Sequence, residues 1–250
     1  MGKIPVALQL YSVREDCKKD FKGTVAKVAK MGYEAVEFAG YFDMSGKEIG
    51  QMLKDNNLKC AGTHTGIDTI KPENIEKTIA FNQEFGNKFL VVPWLPEQFR
   101  VGKSAYLEVC KLLNQAAEVA AKHGMFIGYH NHDFEFKPVD GELPWDILFS
   151  NTKQNVIQQV DCGNCLHGNG DYVGFIKKYP GRAVTVHLKE FSKTVEKPII
   201  GEGDIKWKEF FEACETVGGT QYYIVEIESY KTTPLECVDL SLKSVRKMGR

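Results

Sequence analysis

Two kinds of hydrophobic pattern take turns along the whole chain. Short runs rich in β-branched and aromatic residues alternate with stretches whose apolar residues recur every three or four positions. The first kind predicts strands over Val6–Leu10, Ala35–Phe38, Lys59–Thr63, Phe89–Val92, Phe126–Tyr129, Val156–Val160, Ala183–Leu188 and Tyr222–Val225. The second kind predicts the helices between them. The longest such stretch is "YLEVCKLLNQAAEVAAKHG", which ends at Gly124, a residue suited to the left-handed position after a helix. "SGKE" at 45–48 reads as a capping box, in which a serine and a glutamate satisfy each other's backbone N–H groups. Pro72 suits the first turn of the helix expected over "ENIEKTIAFNQEFG".

The chain has 250 residues. Eight strand–helix units would take about 31 residues each, the length of a repeat with short loops. Strict alternation implies a parallel sheet, and eight units imply its closure. A doubly wound sheet would want a glycine-rich turn after the first strand, and "LQLYSVRED" has no glycine. No linker or low-complexity segment divides the chain. The expected fold is therefore α/β, a single (β/α)8 TIM barrel domain over 1–250.

Composition narrows the partners. Lysine and arginine total 32 and aspartate and glutamate 33, for a net charge of −1. No bulk positive field is available to hold a nucleic acid backbone. No apolar stretch approaches the roughly 20 residues that span a bilayer, and the N-terminal apolar run is too short and too soon charged for a signal peptide. The expectation is a cytoplasmic protein that binds neither nucleic acid nor membrane. The 7 cysteines are odd in number and scattered, which fits a reducing compartment. Cys162-Gly-Asn-Cys165 lacks both a thioredoxin-like setting and the second cysteine pair that zinc would want.

In such a barrel every strand exits at one face, and chemistry gathers there. Read at the exits, strand 1 delivers Gln9, Tyr11 and Arg14, strand 2 Glu37, strand 3 His64 and strand 4 Trp94. Strand 5 delivers His130, His132 and Glu135; strand 6 Asp161, with Asn164 after it; strand 7 His187 and Lys189; strand 8 Glu226 and Glu228. Strands 5 to 8 are consecutive staves, so Glu135, Asp161, His187 and Glu226 are placed to converge. Three carboxylates and an imidazole packed together raise each other's pKa unless a cation neutralises them. A divalent ion is the economical solution, and this donor set suits Mn²⁺, Co²⁺ or Mg²⁺, with Zn²⁺ also open.

Each residue alone has a plainer explanation. Asp161 before Cys-Gly-Asn can be a turn former, His64 a turn residue, Lys189 a surface lysine, and His123 simply complements a helix C-terminus. Only their convergence favours chemistry. His167, in the loop "HGNGD", is a further ligand-contact candidate.

The pieces "LQLYSVR", "GYEAVEF", "GTHTG", "YHNHDFEF", "DCGN", "VHLKE", "IGEGDIKW" and "IVEIE", in this order across nearly the whole chain, resemble the sugar phosphate isomerase/epimerase group of xylose isomerase-like TIM barrels. The resemblance implies one divalent cation held by Glu135, Asp161, His187 and Glu226. Many members carry a glutamate at the very end of strand 5, where this chain has His130-Asn131-His132. The strand 5 ligand is thus open between Glu135, the preferred choice, and His130.

The implied reaction is isomerisation or epimerisation of a ketose or keto-sugar by proton transfer through an enediolate. Glu226 and Glu135 are the expected catalytic acid–base pair. His64, His130, His132, Lys189, Glu37, Arg14, Trp94 and Asn164 are expected to bind substrate, and Trp145 to help line the pocket. A lyase or dehydratase acting on a keto-sugar, keto-glycoside or inosose shares the first step and is the runner-up. A non-catalytic sugar-binding protein is the third reading. The related abasic-site endonuclease needs three zinc ions and a positive face, which 6 histidines and a charge of −1 do not support. The resemblance leaves a homo-oligomer open.

Overall fold

The computed structural model describes residues 3–250, so residues 1 and 2 of the expected domain lie outside it. Its core is one 8-stranded parallel sheet curled into a barrel. The strands are β1 (Val6–Gln9), β2 (Ala35–Phe38), β3 (Lys59–His64), β4 (Phe89–Val92), β5 (Phe126–His130), β6 (Val156–Gln159), β7 (Thr185–Leu188) and β8 (Tyr222–Val225). The helices are α1 (Arg14–Lys19), α2 (Phe21–Met31), α3 (Gly46–Asp55), α4 (Ile75–Gln83) and α5 (Gly102–Lys122), followed by α6 (Pro144–Ser150), α7 (Cys162–His167), α8 (Tyr172–Lys178), α9 (Trp207–Ala213) and α10 (Pro234–Lys247). The expected TIM barrel is thus present, with helices between successive strands.

Both faces of the strands are covered, which is why they read as continuous apolar runs. One set of side chains packs under the helices, among them Leu8, Val36, Leu90 and Val92. The alternate set points inward. At the strand N-termini it is apolar or small, with Ala7, Ala35, Ile157 and Ile224 buried. Two residues further along each strand, the pleat returns the chain to the interior. Those positions hold Gln9, Glu37, Gln159 and Glu226, all buried. His130 on β5 stands in register with Gln159, and His187 on β7 with Ile224.

Hydrogen bonding runs unbroken from β6 through β5, β4, β3, β2, β1 and β8 to β7. Between β6 and β7 the barrel is stitched by the Gln158 N–H to the Arg182 carbonyl (2.8 Å), the His187 N–H to the Val160 carbonyl (2.9 Å) and a bridge between Asp161 and His187. Two of the residues singled out from the sequence therefore sit on the closure seam. A second irregularity lies between β2 and β3, where Val36 pairs with Cys60 but Glu37 with Gly62. Such a bulge re-aims the side chains beside it.

Local expectations hold where the chemistry was local. Ser45 and Glu48 form the capping box at the start of α3. Gly124 takes the left-handed conformation, φ +67°, just past α5. Pro72 differs from expectation. The chain makes a turn in which the Asn74 and Ile75 N–H groups both donate to the Lys71 carbonyl, and α4 begins only at Ile75. No helix among the described residues is long and apolar enough to cross a membrane.

Candidate metal centre and its cavities

His130, Asp161, His187 and Glu226 each direct one ligating atom to a common point, these atoms lying within 4.8 Å of one another. β5 ends on His130, β7 carries His187, and Glu226 follows the last residue of β8. Asp161 is placed by two devices. It caps α7, its Oδ1 accepting from the Asn164 N–H at 2.7 Å. Its backbone is clamped by Asn131, whose Oδ1 accepts from the Asp161 N–H at 2.8 Å while its Nδ2 donates to the Asp161 carbonyl at 3.0 Å. The turn-forming and ligand readings of Asp161 are thus compatible, since one carboxylate oxygen serves each.

Asp161 Oδ2 and His130 Nδ1 are buried without a hydrogen-bond partner among the described residues. Buried polar atoms are rarely left unpaired, because the lost solvation is not repaid. The donor set of two imidazoles and two carboxylates suits a divalent cation, which would give the buried Asp161 oxygen a partner. With two nitrogens it suits Mn²⁺, Co²⁺ or Zn²⁺ better than Mg²⁺.

The charged groups of the cluster shift one another strongly. Burial pushes Asp161 up to about 7, with Lys189 opposing and Glu226 adding to the shift. Burial also opposes the charge on Glu226, but Lys189 and His187 hold its carboxyl well below the usual range. Burial pulls His187 down, yet Glu37 and Glu226 carry it up to about 10. Burial, with His187 and His64 nearby, holds His130 well below the ordinary histidine value, so it is neutral. Lys189 Nζ lies 3.5 Å from Glu226 Oε2 and 3.9 Å from Asp161 Oδ2, and also pairs with Glu228. Its ammonium compensates part of the carboxylate charge.

Two cavities open above the cluster and share Glu226 and Glu228 in their walls. One, about 320 Å³, is lined by Tyr11, Ala39, His64, Pro93, Trp94, His130 and His132 besides those two. The other, about 490 Å³, is bounded by Asn164, His167, Lys189 and the loop from Glu190 to Pro198. That loop is built around Glu190, which accepts from the Gly201 N–H (2.6 Å) and the Trp207 indole N–H (2.9 Å).

The structure brings His64, His132 and Trp94 to one cavity and Asn164, Lys189 and His167 to the other. Other expectations are corrected. Glu135 does not join the ligand cluster. It sits on a 3-10 turn, Phe134–Phe136, and is fully buried. Its carboxylate is taken up by the Tyr129 hydroxyl and by the His132 N–H, 2.8 Å away. It lines neither cavity. His130 holds the strand 5 position instead.

Glu37 lines neither cavity. It lies fully buried beneath the cluster, bonded to Gln9, Gln159 and His187. Arg14 borders neither cavity, and bonds the Tyr11 carbonyl and the Tyr230 hydroxyl. Trp145 is fully buried against Phe149 and Phe136, a core residue rather than a pocket wall. Cys162 and Cys165 are buried and free, and burial raises both thiols well above their usual value, so neither suits redox exchange.

Sequence reasoning missed Asn131 and Gln159 as site-building residues. The signal was present: two adjacent glutamines in the buried run "VIQQV" need partners inside the protein.

A family described as xylose isomerase-like TIM barrels matches residues 25–248. An inosose dehydratase of Lactiplantibacillus plantarum is 25% identical over 264 residues, covering 89% of this chain and 87% of that protein. An inosose dehydratase of Clostridium botulinum is 24% identical over 202 residues, covering 73% and 67%. A solved structure, a sugar phosphate isomerase/epimerase from Parabacteroides distasonis, superposes with a TM-score of 0.85 at 24% identity, covering 98% of each chain.

Proposed function

The chain belongs to the family of xylose isomerase-like TIM barrels, and on that premise we propose that it is a divalent-metal-dependent enzyme that removes the proton beside the carbonyl of a polyhydroxylated keto-sugar or cyclic ketone and then eliminates water. The observation that carries this is the double position of Glu226. Among the described residues it is the one carboxylate that both belongs to the candidate ligand cluster and lines the two cavities.

A keto-sugar ring fits the cavity of about 320 Å³, where the Trp94 and Tyr11 rings offer apolar faces to sugar C–H surfaces. A divalent ion held by His130, Asp161, His187 and Glu226 would supply Lewis-acid polarisation of the carbonyl and stabilise the enediolate charge. Glu226, kept ionised by Lys189 and His187, takes the proton. The electron pair left behind forms the enediolate. As it collapses, the bond to the hydroxyl two carbons from the carbonyl breaks, and the leaving oxygen takes up the proton that Glu226 removed, since Glu226 lines the same cavity. The products are an unsaturated ketone and water.

Elimination is preferred to epimerisation because of Glu135. Epimerisation needs acid–base groups on both faces of the carbon, and the second carboxylate expected there is locked away on Tyr129 and His132. The inosose dehydratases among the relatives point the same way. A second reading, epimerisation, is favoured by one observation: His132 lines the same cavity as Glu226 and is a second group for proton transfer there.

The test is to incubate inososes, ketoses and keto-glycosides with enzyme and Mn²⁺ in deuterated water. Elimination yields a conjugated, ultraviolet-absorbing product; epimerisation yields a deuterated stereoisomer instead. Glu226→Gln is expected to slow exchange of the α-proton by about 10²–10⁴-fold. Undiminished exchange in that variant removes Glu226 from the mechanism.

A further inference from the structure

We propose that Glu37 is a positioning residue that holds His187 by its Nε2 atom, so that His187 turns its Nδ1 toward the cation site. Three features of the structure carry this. First, the donors around Glu37 converge on one fully buried carboxylate. Gln9 Nε2 and Gln159 Nε2 each donate at 2.7 Å and His187 Nε2 lies at 2.7 Å, while His64 Nε2, 3.3 Å away, is bonded to Gln159 Oε1 instead. His187 Nδ1 then faces Glu226 Oε2 at 3.2 Å and Asp161 Oδ2 at 3.9 Å, on the side of the ligand cluster.

Second, the partners are themselves fixed. The Gln9 amide cannot turn over, because its Oε1 accepts from the Tyr11 N–H at 2.9 Å. The Gln159 amide has further partners, its Oε1 standing 2.7 Å from His64 Nε2 and its Nε2 also reaching Thr185 Oγ1 at 3.0 Å. Only an acceptor without protons of its own satisfies all these donors, and an ionised carboxylate is that group. An amide at position 37 would set N–H against N–H.

Third, the backbone makes room for it. The bulge between β2 and β3 brings Gly62 opposite Glu37. A Cβ added to Gly62 would lie 2.8 Å from Glu37 Oε1, and the glycine has φ +154°. The chain therefore spends a glycine and a register shift on this one carboxylate. Because Gln159 ties Glu37 to His64, the same network links a candidate metal ligand to a wall of the smaller cavity. A metal-ligating histidine whose far nitrogen is bonded to a carboxylate is fixed in tautomer and ring orientation, and loss of such a partner typically weakens metal binding by about 10–100-fold.

The affinity readout rests on the metal site proposed above. Wild type, Glu37→Gln and Gly62→Ala are titrated with Co²⁺, their folding is followed by thermal melting, and the imidazole N–H groups of Zn²⁺-loaded wild type are observed by NMR. The expected result is about 10–100-fold weaker Co²⁺ binding by folded Glu37→Gln, weakening in the same direction in Gly62→Ala, and a retained Nε2–H on His187 in the loaded protein. A merely structural role for Glu37 would lower the melting temperature and leave the affinity of the folded protein unchanged; that outcome overturns the proposal. A His187 protonated at Nδ1 in the loaded protein also overturns it, and that measurement decides even if both variants fail to fold. If wild type binds neither Co²⁺ nor Zn²⁺, the metal reading fails and takes this proposal with it, whereas equal binding by wild type and Glu37→Gln removes only the role of Glu37.

Discussion

At the floor of the barrel, Phe89, Val91, Ile157 and Val184 pack with the rings of Phe126 and Tyr222 around them. Toward the mouth, the interior holds Gln9, Glu37, Gln159, His130, His187 and Glu226 instead. Phe89, Val91 and Ile157 below, and Gln9, Glu37, Gln159 and His187 above, are all buried. The floor removes apolar surface from water, which contributes about 25 cal/mol for each Å² buried. The mouth does the reverse, desolvating charge that water would have solvated, which is costly unless every group is paired. The lesson is that the barrel's stability and its chemistry are stacked along one axis. The lower level stabilises a cage in which the upper level can hold groups no ordinary core would keep.

Substitutions at the two levels should therefore fail differently. Phe89→Ala at the floor is expected to lower unfolding stability by about 3–5 kcal/mol, since Phe89 is 2% exposed and stacks on Phe126 with 5.7 Å between ring centroids. Denaturant unfolding measures that loss, while the folded fraction should bind Mn²⁺ as wild type does. A fall in metal affinity alongside the fall in stability would show that the levels are not separable.

At the mouth, the carboxylate oxygen of Asp161 that has no partner among the described residues should make the protein more stable once a cation is added. Mn²⁺ at about 100 times its dissociation constant contributes on the order of 2.7 kcal/mol, a melting-temperature rise of roughly 5–10 °C in a chain of this size. A thermal shift titration checks it; no shift with Mn²⁺, Co²⁺ or Zn²⁺ would leave the mouth without its stabilising ion. Smallest of all, Trp94→Ala at the rim is expected to raise KM by about three- to tenfold, on the order of 1 kcal/mol, with kcat little changed. Trp94 is 45% exposed and borders the smaller cavity, so it offers binding surface and no chemistry. A large drop in kcat would place it closer to the reacting atoms.

The barrel was legible because strands buried on both faces leave unbroken apolar runs, and Phe89–Val92 and Tyr222–Val225 match the observed strands to the residue. Asp161, His187 and Glu226 were legible for the same reason, as polar residues ending such runs. What escaped was set by single-residue geometry. Glu135 is one 3-10 turn past its strand, and that turn swings it onto Tyr129 rather than into the cluster. Glu37 looks like any strand-end carboxylate until the period of two along β2, from Ala35 to Glu37, is combined with a bulge that no composition signals. Trp145 resembles a sugar platform by type, yet α6 folds it into the aromatic cluster with Phe149 and Phe136.

The most direct measurement is the metal content of purified protein after equilibration with Mn²⁺ or Co²⁺ and removal of free ion, for wild type beside Asp161→Ala. One ion per wild-type chain and a loss of stoichiometric ion in the variant are expected. Wild type free of metal, or Asp161→Ala retaining a full equivalent, would contradict a single cation held by His130, Asp161, His187 and Glu226.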